Sequence, residues 1–410
     1  MSPSTEDHAR RPVIVVGGGP AGMTAALALR AFGRPVTVLE SGAEDRPRPG
    51  SRAIFVHKAT LEILDRLSPG LAADLDAHGL VWQTKRTFYG GREVFARTYP
   101  PPPPGTLAPF TSLPQVDTER ILLRACRASG VEFAWNQEVT GVSSDADGVT
   151  LTTRAGARWA ADYVIGADGS RSSVRKALGI EMEGDRSDGW YIVIDTEEDE
   201  ANPLPTERIF HYAHPRVEGR NVLLVPFAGG WRVDLQLHDD DDPDELSQGE
   251  GLDTWLRAIM PASYAERVRW ASTYQFLQMV AADYTDAHRR VLLVGEAAHL
   301  FAPFGARGLN SGVADADSAA AAIHLALSST TAERARAAVE DFSISRRRAG
   351  LYNRDAAGTA LAHLRPGPEE RTRLEEAAAG AAEDESLGKW LDTAPYGPVA
   401  SPPCNTIYKY

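Results

Sequence analysis

Three glycines in the spacing Gly17-x-Gly19-x-x-Gly22 follow directly on a short apolar run, Val13 to Val16. An unbroken, β-branched run of this kind predicts a buried parallel strand, and the alanine- and leucine-rich residues from Ala21 to Phe32 predict a helix. Between a strand and a helix, the glycines give a tight turn, let the backbone approach a diphosphate, and allow close helix–strand packing. The sequence therefore predicts a dinucleotide-binding turn that presents a helix N-terminus to the phosphates.

Glu40 extends this pattern to a complete βαβ unit. It follows a second apolar run, Val36 to Leu39, at about the distance beyond Gly22 where an acidic residue accepts hydrogen bonds from ribose hydroxyls. Pro20 and Ala21 stand in the first turn of the helix, beside the expected diphosphate. The unit predicts a bound dinucleotide but fits NAD and FAD equally.

Length, charge and cysteine content limit the class of protein. A chain of 410 residues suits two domains, and its 43% hydrophobic and 24% charged residues are typical of a globular enzyme. The net charge of −13 disfavours nucleic acid and anionic membranes as partners. Cys126 and Cys404 have no metal-site or disulfide-framework spacing, and glycines interrupt the uncharged run Val13 to Leu29. We therefore expect a cytoplasmic protein without a membrane span or a bound metal.

The central part of the chain changes from helical to strand-like composition. Ser51 to Leu67 and Asp117 to Ser129 are predicted to be helices. Pro100 to Pro104 is interpreted as a stiff connector, with a docking segment for a proline-reading partner as the alternative. From Trp190 to Val280 short strands prevail, and Trp231 to Leu237 alternates apolar and polar residues, which predicts a sheet with two different faces.

These segments predict an α/β fold. We expect a Rossmann-like dinucleotide-binding domain with a parallel sheet, an inserted, mainly antiparallel β-sheet domain that binds substrate, and C-terminal helices. The nucleotide-binding pattern returns with a strand over 290–295 and a helix from about Asn310. The predicted division is 11–185 for the first part of the dinucleotide domain, with an excursion into the substrate domain near 75–115, then 186–282 for the substrate domain, 283–364 for the return, and 365–410 for a helical tail and coil.

Two further motifs decide between the dinucleotides. Residues 161–175 read ADYVIGADGSRSSVR and place Asp168 after an apolar run, whereas residues 290–310 read RVLLVGEAAHLFAPFGARGLN and place Glu296 after another. A carboxylate at the end of a buried strand can accept hydrogen bonds from the hydroxyl groups of a ligand. The second motif leads into a helix N-terminus, which stabilises negative charge on a bound group.

With these three motifs in order, the chain resembles the FAD-dependent aromatic hydroxylases of the para-hydroxybenzoate hydroxylase type, the group A flavoprotein monooxygenases, over nearly its whole length. The resemblance implies bound FAD, with the pyrimidine edge of the flavin facing the helix start after Pro303. It implies the following cofactor-binding residues: Gly17, Gly19, Pro20, Ala21, Gly22, Glu40, Arg52, Gln115, Asp168, Glu296, Gly308, Leu309 and Asn310.

Several of these positions keep an alternative interpretation. Asp168 either serves FAD and the reductant, or only caps a helix that starts near Ser172. Glu296 stands where the family usually has aspartate, which puts its contact with the ribitol in question. Arg307, in a loop that Phe304 makes bulkier than the family's, either lies in solvent or touches flavin or substrate. Arg52 and Gln115 match by pattern, with a surface position as the alternative.

The resemblance also implies a reaction, in which NAD(P)H and O2 are used to oxygenate an aromatic or polyketide-like molecule through a flavin C4a-(hydro)peroxide. No second glycine fingerprint follows a strand, so NAD(P)H is expected to dock without a domain of its own, and NADH and NADPH are not distinguished. The alternatives are an oxidoreductase of the same fold that uses no oxygen, an oxygenase that cleaves, rearranges or dioxygenates the ring, and a non-catalytic flavin-binding protein.

Substrate is expected between the flavin and the inserted sheet. The candidates for substrate contact are His211, Tyr212, Arg232, Asp234, Gln236 and Phe304. No side chain is assigned as general acid or base, and Arg52 and Pro303 are the candidate catalytic positions. A homodimer is left open.

Overall fold

The computed structural model describes residues 8–46 and 53–398, and the elements below refer to these ranges. The strands are β1 (Arg11–Val16), β2 (Thr37–Leu39), β3 (Phe55–His57), β4 (Thr84–Tyr89), β5 (Arg92–Thr98), β6 (Phe110–Ser112), β7 (Glu132–Ala134), β8 (Val139–Ser144), β9 (Val149–Thr153), β10 (Arg158–Gly166), β11 (Met182–Arg186), β12 (Tyr191–Glu197), β13 (Glu207–His214), β14 (Arg220–Phe227), β15 (Gly230–Gln236), β16 (Val268–Tyr274), β17 (Leu277–Ala281), β18 (Val291–Leu293) and β19 (His299–Leu300). The helices are α1 (Pro20–Ala31), α2 (Lys58–Leu67), α3 (Leu71–His78), α4 (Gln115–Ala128), α5 (Ser173–Ala177), α6 (Pro243–Leu246), α7 (Gly249–Ile259), α8 (Ala262–Ala265), α9 (Arg307–Ser328), α10 (Ala332–Leu364), α11 (Pro368–Gly380) and α12 (Glu385–Thr393).

The first sheet has the order β7-β2-β1-β10-β9-β8, with β18 on the C-terminal half of β10. The strands β7, β2, β1, β10 and β18 pair in parallel, whereas β8 and β9 form an antiparallel extension. Helices α1 and α9 pack against each other, and side chains such as Ile14, Leu29, Val164 and Ile323 are fully buried in this core. The predicted βαβ start and the predicted return over 290–295 are confirmed.

The second sheet has the order β16-β12-β15-β14-β13-β4-β5. Its neighbours pair antiparallel except β13 and β4, which run parallel. One face packs on α7 and α8 through a core that contains Ile192, Val233, Trp255 and Tyr264. Strands β4 and β5 come from the stretch near 75–115 and join this sheet, while the residue numbers chosen for the domain limits stay a prediction.

The predicted helix from Ser51 to Leu67 is wrong over residues 53–57, and its first two residues lie outside the described ranges. Strand β3 pairs antiparallel with β6, and only α2 from Lys58 onward is helical. The side chain of Asn310 accepts a hydrogen bond from the His57 amide at 2.9 Å and donates one to the carbonyl oxygen of Phe55 at 3.0 Å. These bonds to Asn310 replace the hydrogen bonds of a helix. Because Asn310 is distant in the chain, the local sequence does not predict them.

The C-terminal helices complete the fold. Helix α10 is 33 residues long and packs against α9 and β17, whereas α12 lies against β4 and β5 of the second sheet. The predicted mixed α/β class, with parallel and antiparallel sheets and C-terminal helices, is confirmed. Within residues 8–46 and 53–398, no helix has the combination of length and apolar composition that crossing a membrane requires.

Candidate functional site

A cavity of about 2460 Å³ extends from the glycine turn of the first sheet to the open face of the second sheet. Its walls include the turn between β1 and α1, the loop before α9, and side chains of β13, β14 and β15. Binding sites in open α/β sheets lie outside the carboxyl ends of the strands. This cavity lies there and continues toward the second sheet.

The glycine turn has the shape of a diphosphate cradle. Gly17 has φ +107°, and a Cβ there would lie 2.4 Å from the carbonyl oxygen of Ala167. A Cβ on Gly22 would lie 1.9 Å from the carbonyl oxygen of Gly17, so the helix and the strand pack too closely for a side chain. A Cβ on Gly19 would meet nothing within 4 Å, which leaves open space in front of the turn. Gly19 is the N-cap of α1, and no described side chain caps this helix.

The start of α9 provides a second N-terminus at the same cavity. Gly308 lies in the first turn, where an added Cβ would meet nothing within 4 Å, and no described side chain caps the helix. Gly295 and Gly312 let the two helices approach, because a Cβ on Gly295 would lie 2.9 Å from the Cβ of Ala21 and one on Gly312 would lie 3.5 Å from it. The uncapped amides of α1 and α9 therefore converge on one space.

Glu40 is buried at the end of β2 and borders the glycine turn. One carboxylate oxygen accepts a hydrogen bond from the Gly18 amide at 2.7 Å, and the other accepts one from the Gly42 amide at 2.8 Å. Arg46 forms an ion pair with the second oxygen at 2.7 Å. These bonds fix the carboxylate next to the place where the ribose of a dinucleotide is expected.

Asp168 caps helix α5, as one of its two interpretations stated. Its Oδ2 accepts hydrogen bonds from the Ser173 amide at 2.7 Å and the Val174 amide at 3.1 Å, and its Oδ1 accepts one from the Ser172 hydroxyl at 2.5 Å. Asp168 and Gly169 also line the cavity. The capping function is therefore present in the structure, and a function toward cofactor or reductant stays a prediction.

Asn310 uses its side chain to hold neighbouring elements together. Besides the contacts with β3, its carbonyl oxygen accepts a hydrogen bond from the Thr60 hydroxyl at 2.6 Å, and its amide nitrogen donates one to the carbonyl oxygen of Ala306 at 2.7 Å. The His57 ring is bonded to the carbonyl oxygen of Gly305 at 3.1 Å, and burial lowers the pKa of His57. Asn310 can therefore serve a ligand through its backbone amide rather than through its side chain.

Arg307 does not lie in solvent. Its guanidinium is buried and donates hydrogen bonds to Asn353 Oδ1 at 3.0 Å, to the carbonyl oxygen of Tyr396 at 2.9 Å and to that of Pro398 at 2.7 Å. Burial lowers the pKa of Arg307. The solvent interpretation is wrong, since this side chain connects the start of α9 to the C-terminal segment along the cavity wall.

The register of the second sheet determines which substrate candidates face the cavity. Phe210, Leu223, Asp234 and Val193 stand in one cross-strand row, and all four line the cavity. His211 belongs to the next row, with Val222, Leu235 and Ile192, whose members face the core under α7. A single residue step along a strand reverses the face.

Three of the predicted substrate contacts do not line the cavity: His211 because of this reversal, and Tyr212 and Gln236 because they lie two residues further along their strands than Phe210 and Asp234. His211 stacks on Phe88, and the hydroxyl of Tyr212 donates a hydrogen bond to the carbonyl oxygen of Leu391 at 2.7 Å beneath α12. Gln236 donates to the carbonyl oxygen of Leu364 at 3.0 Å. None of the three lines the cavity, so the prediction that they contact substrate does not fit the structure.

Arg232, Asp234 and Phe304 do line the cavity. Arg232 forms a two-pronged ion pair with Asp195, at 2.8 and 2.9 Å, so that its charge is compensated. Burial raises the pKa of Asp234 to about 7, and its Oδ1 has no hydrogen-bond partner among residues 8–46 and 53–398. Phe304 meets Tyr191 edge to face at a centroid distance of 5.7 Å.

A family model with the description "FAD binding domain" matches residues 10–348. This chain belongs to that family. The chain is also 32% identical over 313 residues to a rifampicin monooxygenase of Streptomyces venezuelae, which covers 74% of this chain and 62% of the relative. The chain thus spans less than two thirds of that relative's length. A para-nitrophenol 4-monooxygenase of a Pseudomonas species is 28% identical over 365 residues, which cover 85% of each chain.

The fold of this FAD-binding family member agrees with a solved structure of a relative. The crystal structure of p-nitrophenol 4-monooxygenase from Pseudomonas putida matches with a TM-score of 0.77 and 25% identity, over 96% of this chain and 100% of that chain. These matches confirm the resemblance that the three sequence motifs indicated.

Three further residues implied by the resemblance, Gln115, Glu296 and Pro303, line the cavity. Gln115 is the first residue of α4, lines the cavity, and accepts a hydrogen bond from the Ala53 amide at 3.1 Å. Glu296 lies in a short 3-10 turn and is exposed at the cavity, and Pro303 lies in the loop before α9. Arg52 lies outside the described residues, so its assignments stay predictions.

A buried network around Asp315, which the sequence did not predict, lies beneath the α9 start. Asp315 accepts hydrogen bonds from Arg346 at 2.7 Å and from the Gly295 amide at 3.2 Å, and its carboxylate is bonded to His299 at 2.7 Å. Although burial alone raises the pKa of Asp315, Arg346 and His299 bring it below its ordinary value. The only signal in the sequence was an aspartate on an otherwise alanine-rich helix face.

Proposed function

We propose that this chain is an FAD-dependent monooxygenase that uses NAD(P)H and O2 to oxygenate an aromatic or polyketide-like small molecule. The observation that carries the proposal is the convergence of two uncapped helix N-termini, those of α1 and α9, on a cavity that continues to an aromatic wall. Family membership and the monooxygenases among the relatives support it.

The ADP half of FAD is assigned to the first helix. The amides of Ala21 and Gly22 stand in the first turn of α1 behind the open space at Gly19, and backbone amides at a helix N-terminus bind phosphates. Glu40, already held by the Gly18 amide, is positioned to accept hydrogen bonds from the ribose. Pro20 lacks an N–H and begins the helix without leaving an unused donor.

The flavin ring is assigned to the second helix. The amides of Gly308, Leu309 and Asn310 and the α9 dipole favour negative charge at the edge of a ring placed against them. Glu296 is close to Gly169, with its Oε2 4.0 Å from where a Cβ would stand, and both border the path between the two helix ends. Bound FAD supplies the electron transfer from NAD(P)H and the activation of O2.

The substrate is assigned to the space between the α9 loop and the second sheet. Aromatic side chains surround it: Trp82, Phe110, Phe210, Trp270, Tyr274, Phe276 and Phe304. Apolar walls of this kind bind a ring by burying its faces and exclude water from the reacting atoms. An arrangement that holds a ring against the loop before α9 serves oxygen insertion better than transfer to a distant acceptor.

Purified protein loaded with FAD tests the proposal. We expect yellow protein that oxidises NADH or NADPH slowly alone and at least about tenfold faster with a phenolic, phenolic-acid or aromatic polyketide substrate. Reactions under labelled O2 should place one labelled oxygen in the product. Substrate-independent oxidation of NAD(P)H, or equal turnover without oxygen when an alternative acceptor is given, would contradict the proposal. The same product analysis separates simple hydroxylation from ring cleavage or dioxygenation.

A further inference from the structure

Two cations stand side by side on the cavity face of the second sheet. Lys85 of β4 and Arg208 of β13 are direct cross-strand partners, and both line the cavity. Their row continues toward Arg232, which Asp195 neutralises. Like charges directly opposite in a sheet destabilise it, so this pair calls for a functional explanation.

Arg208 is 1% exposed and only partly satisfied. Its Nη1 donates a hydrogen bond to Asp392 Oδ1 at 3.2 Å, whereas Nε and Nη2 have no hydrogen-bond partner in the described part of the chain. A buried donor without a partner is destabilising, and more so when it belongs to a charged group. Two unused donors on one guanidinium match the two oxygens of a planar anion.

Lys85 is the second cation, and its ion pair with Asp392 is long. Its Nζ lies 3.7 Å from Asp392 Oδ2, beyond ordinary hydrogen-bond length, and burial lowers the pKa of Lys85. Asp392 is itself buried and also accepts a bond from the Thr87 hydroxyl at 3.3 Å. One carboxylate thus faces two cations, and this end of the cavity has an excess positive charge.

The surroundings select an anion that carries an aromatic ring. The ring of Tyr396 lies 4.6 Å from the Arg208 guanidinium and 4.9 Å from Lys85 Nζ, and it closes one side. Phe210 and Leu223, which are cross-strand partners, continue the wall next to the charged row. The combination suits a molecule with a charged end and an apolar ring, because each part meets its own kind of surface.

We propose that Lys85 and Arg208 form a subsite for an anionic oxygen group of the substrate, either a carboxylate or an ionised phenol. This inference rests on the proposed function, from which the ligand's aromatic ring is taken, and it adds that the ligand carries a negative charge. Arg208 keeps Asp392 through Nη1 and offers Nε and Nη2 to the anion. Lys85 supplies the second positive charge, and Tyr396 excludes water from the pair.

Equilibrium binding to the FAD-loaded protein, followed by flavin absorbance and by calorimetry, tests the subsite. Benzoate and benzamide have similar shapes and differ in charge, so we expect benzoate to bind about tenfold more tightly or better. Lys85→Met and Arg208→Met should each abolish this preference and leave benzamide binding within about threefold. Arg216→Gln, which removes an exposed cation outside the cavity, is the matched control and should change neither affinity.

A pH series separates the two kinds of anion. Benzoate stays ionised between about pH 6 and 9, so any change in its affinity reports the protein's own cavity groups, Asp234 and Lys85 among them. Relative to benzoate at each pH, 4-nitrophenol should bind more tightly as it ionises if the subsite takes phenolates. Equal binding of benzoate and benzamide, or a preference for benzoate that survives both substitutions, would overturn the subsite. The subsite is also overturned if the protein binds no aromatic carboxylate or phenolate in a series of compounds with one to three rings.

The experiment distinguishes failure of the subsite from failure of the proposed function. Charge preference is measured without turnover, so it is independent of oxygen insertion. Loss of Arg208 leaves Asp392 with one cation and lowers stability, which is why Lys85→Met is measured as well. If the protein takes up FAD and oxygenates neutral rings as fast as acidic ones, the proposed function stands and the subsite is wrong.

Discussion

Arg307 donates a hydrogen bond of 2.9 Å to the carbonyl oxygen of Tyr396, which joins the first residue of α9 to the C-terminal segment. A second bond from the same nitrogen reaches the carbonyl oxygen of Pro398. Arg307 therefore connects α9, the helix assigned to the flavin, to Tyr396, whose ring covers Lys85 and Arg208. Residues 393–397 therefore form part of the cavity wall.

Arg307→Met should release this wall. We expect faster hydrogen exchange in residues 393–398, because the carbonyl oxygens of Tyr396 and Pro398 lose their guanidinium donor, and an affinity for aromatic ligands lowered by about three- to thirtyfold. Hydrogen exchange by mass spectrometry and ligand titration measure the two effects. Arg336→Met removes another guanidinium that donates to two carbonyl oxygens, those of His288 and Ala287, and serves as the control. Unchanged exchange in 393–398 would contradict the assignment.

Gly19→Ala should weaken FAD binding without weakening the fold. The added methyl group meets no protein atom within 4 Å, so the free energy of unfolding of the FAD-free protein should change by less than about 1 kcal/mol. The diphosphate is expected in that space, and FAD affinity should fall about tenfold or more. Fluorescence titration with FAD and urea unfolding measure both quantities. Gly358→Ala in α10, where the nearest atom is 3.7 Å away, should leave FAD affinity unaltered.

Asp234→Asn should change how stability depends on pH. Because burial raises the pKa of Asp234 to about 7, the folded protein holds this proton more tightly than the unfolded chain does. Stability is therefore lost as pH rises from about 4 to 7, and the amide removes that loss. Relative to the wild type, the variant should gain about 2–4 kcal/mol in unfolding free energy between pH 4 and 8. Parallel urea-unfolding profiles of the two proteins across this range would refute the expectation.

Asp315→Asn should act in the opposite direction. The pKa of Asp315 is lowered, so its ion pairs stabilise the protein above the ordinary carboxyl pKa and lose that effect as pH falls. At pH 7 we expect the variant to lose about 3–5 kcal/mol, because Arg346 and His299 stay buried without their carboxylate. The difference should shrink toward pH 3. Asp117→Asn, at a surface pair with Arg120, is the control and should cost under about 1 kcal/mol.

The FAD-binding half of the site was accessible from sequence because its chemistry is local. Gly17, Gly19 and Gly22 act within one turn, and Glu40 follows at the end of the next strand, so spacing along the chain equals position in space. In the structure Gly17, Gly19 and Glu40 line one cavity, and Gly22 is buried in the first turn of α1. Asp168 shows the limit of this reasoning, since its capping bonds were one of two open interpretations until the backbone was known.

The substrate half depended on sheet register, which composition does not reveal. His211 and Phe210 are neighbours in the chain, yet they face opposite sides of the sheet, so choosing between them requires the pairing of β13 with β14. The helix predicted from Ser51 was wrong over residues 53–57 because of another long-range contact, in which Asn310 binds β3 from a distant part of the chain.

The sequence by itself determined the dinucleotide turn, the alternation of strands and helices, and the family. Only the tertiary structure decided that Lys85, Arg208 and Asp392 meet, although they come from three separate parts of the chain. The physical reason is that local spacing fixes backbone turns and helix starts, whereas the burial and charge balance of a side chain depend on which distant elements pack around it.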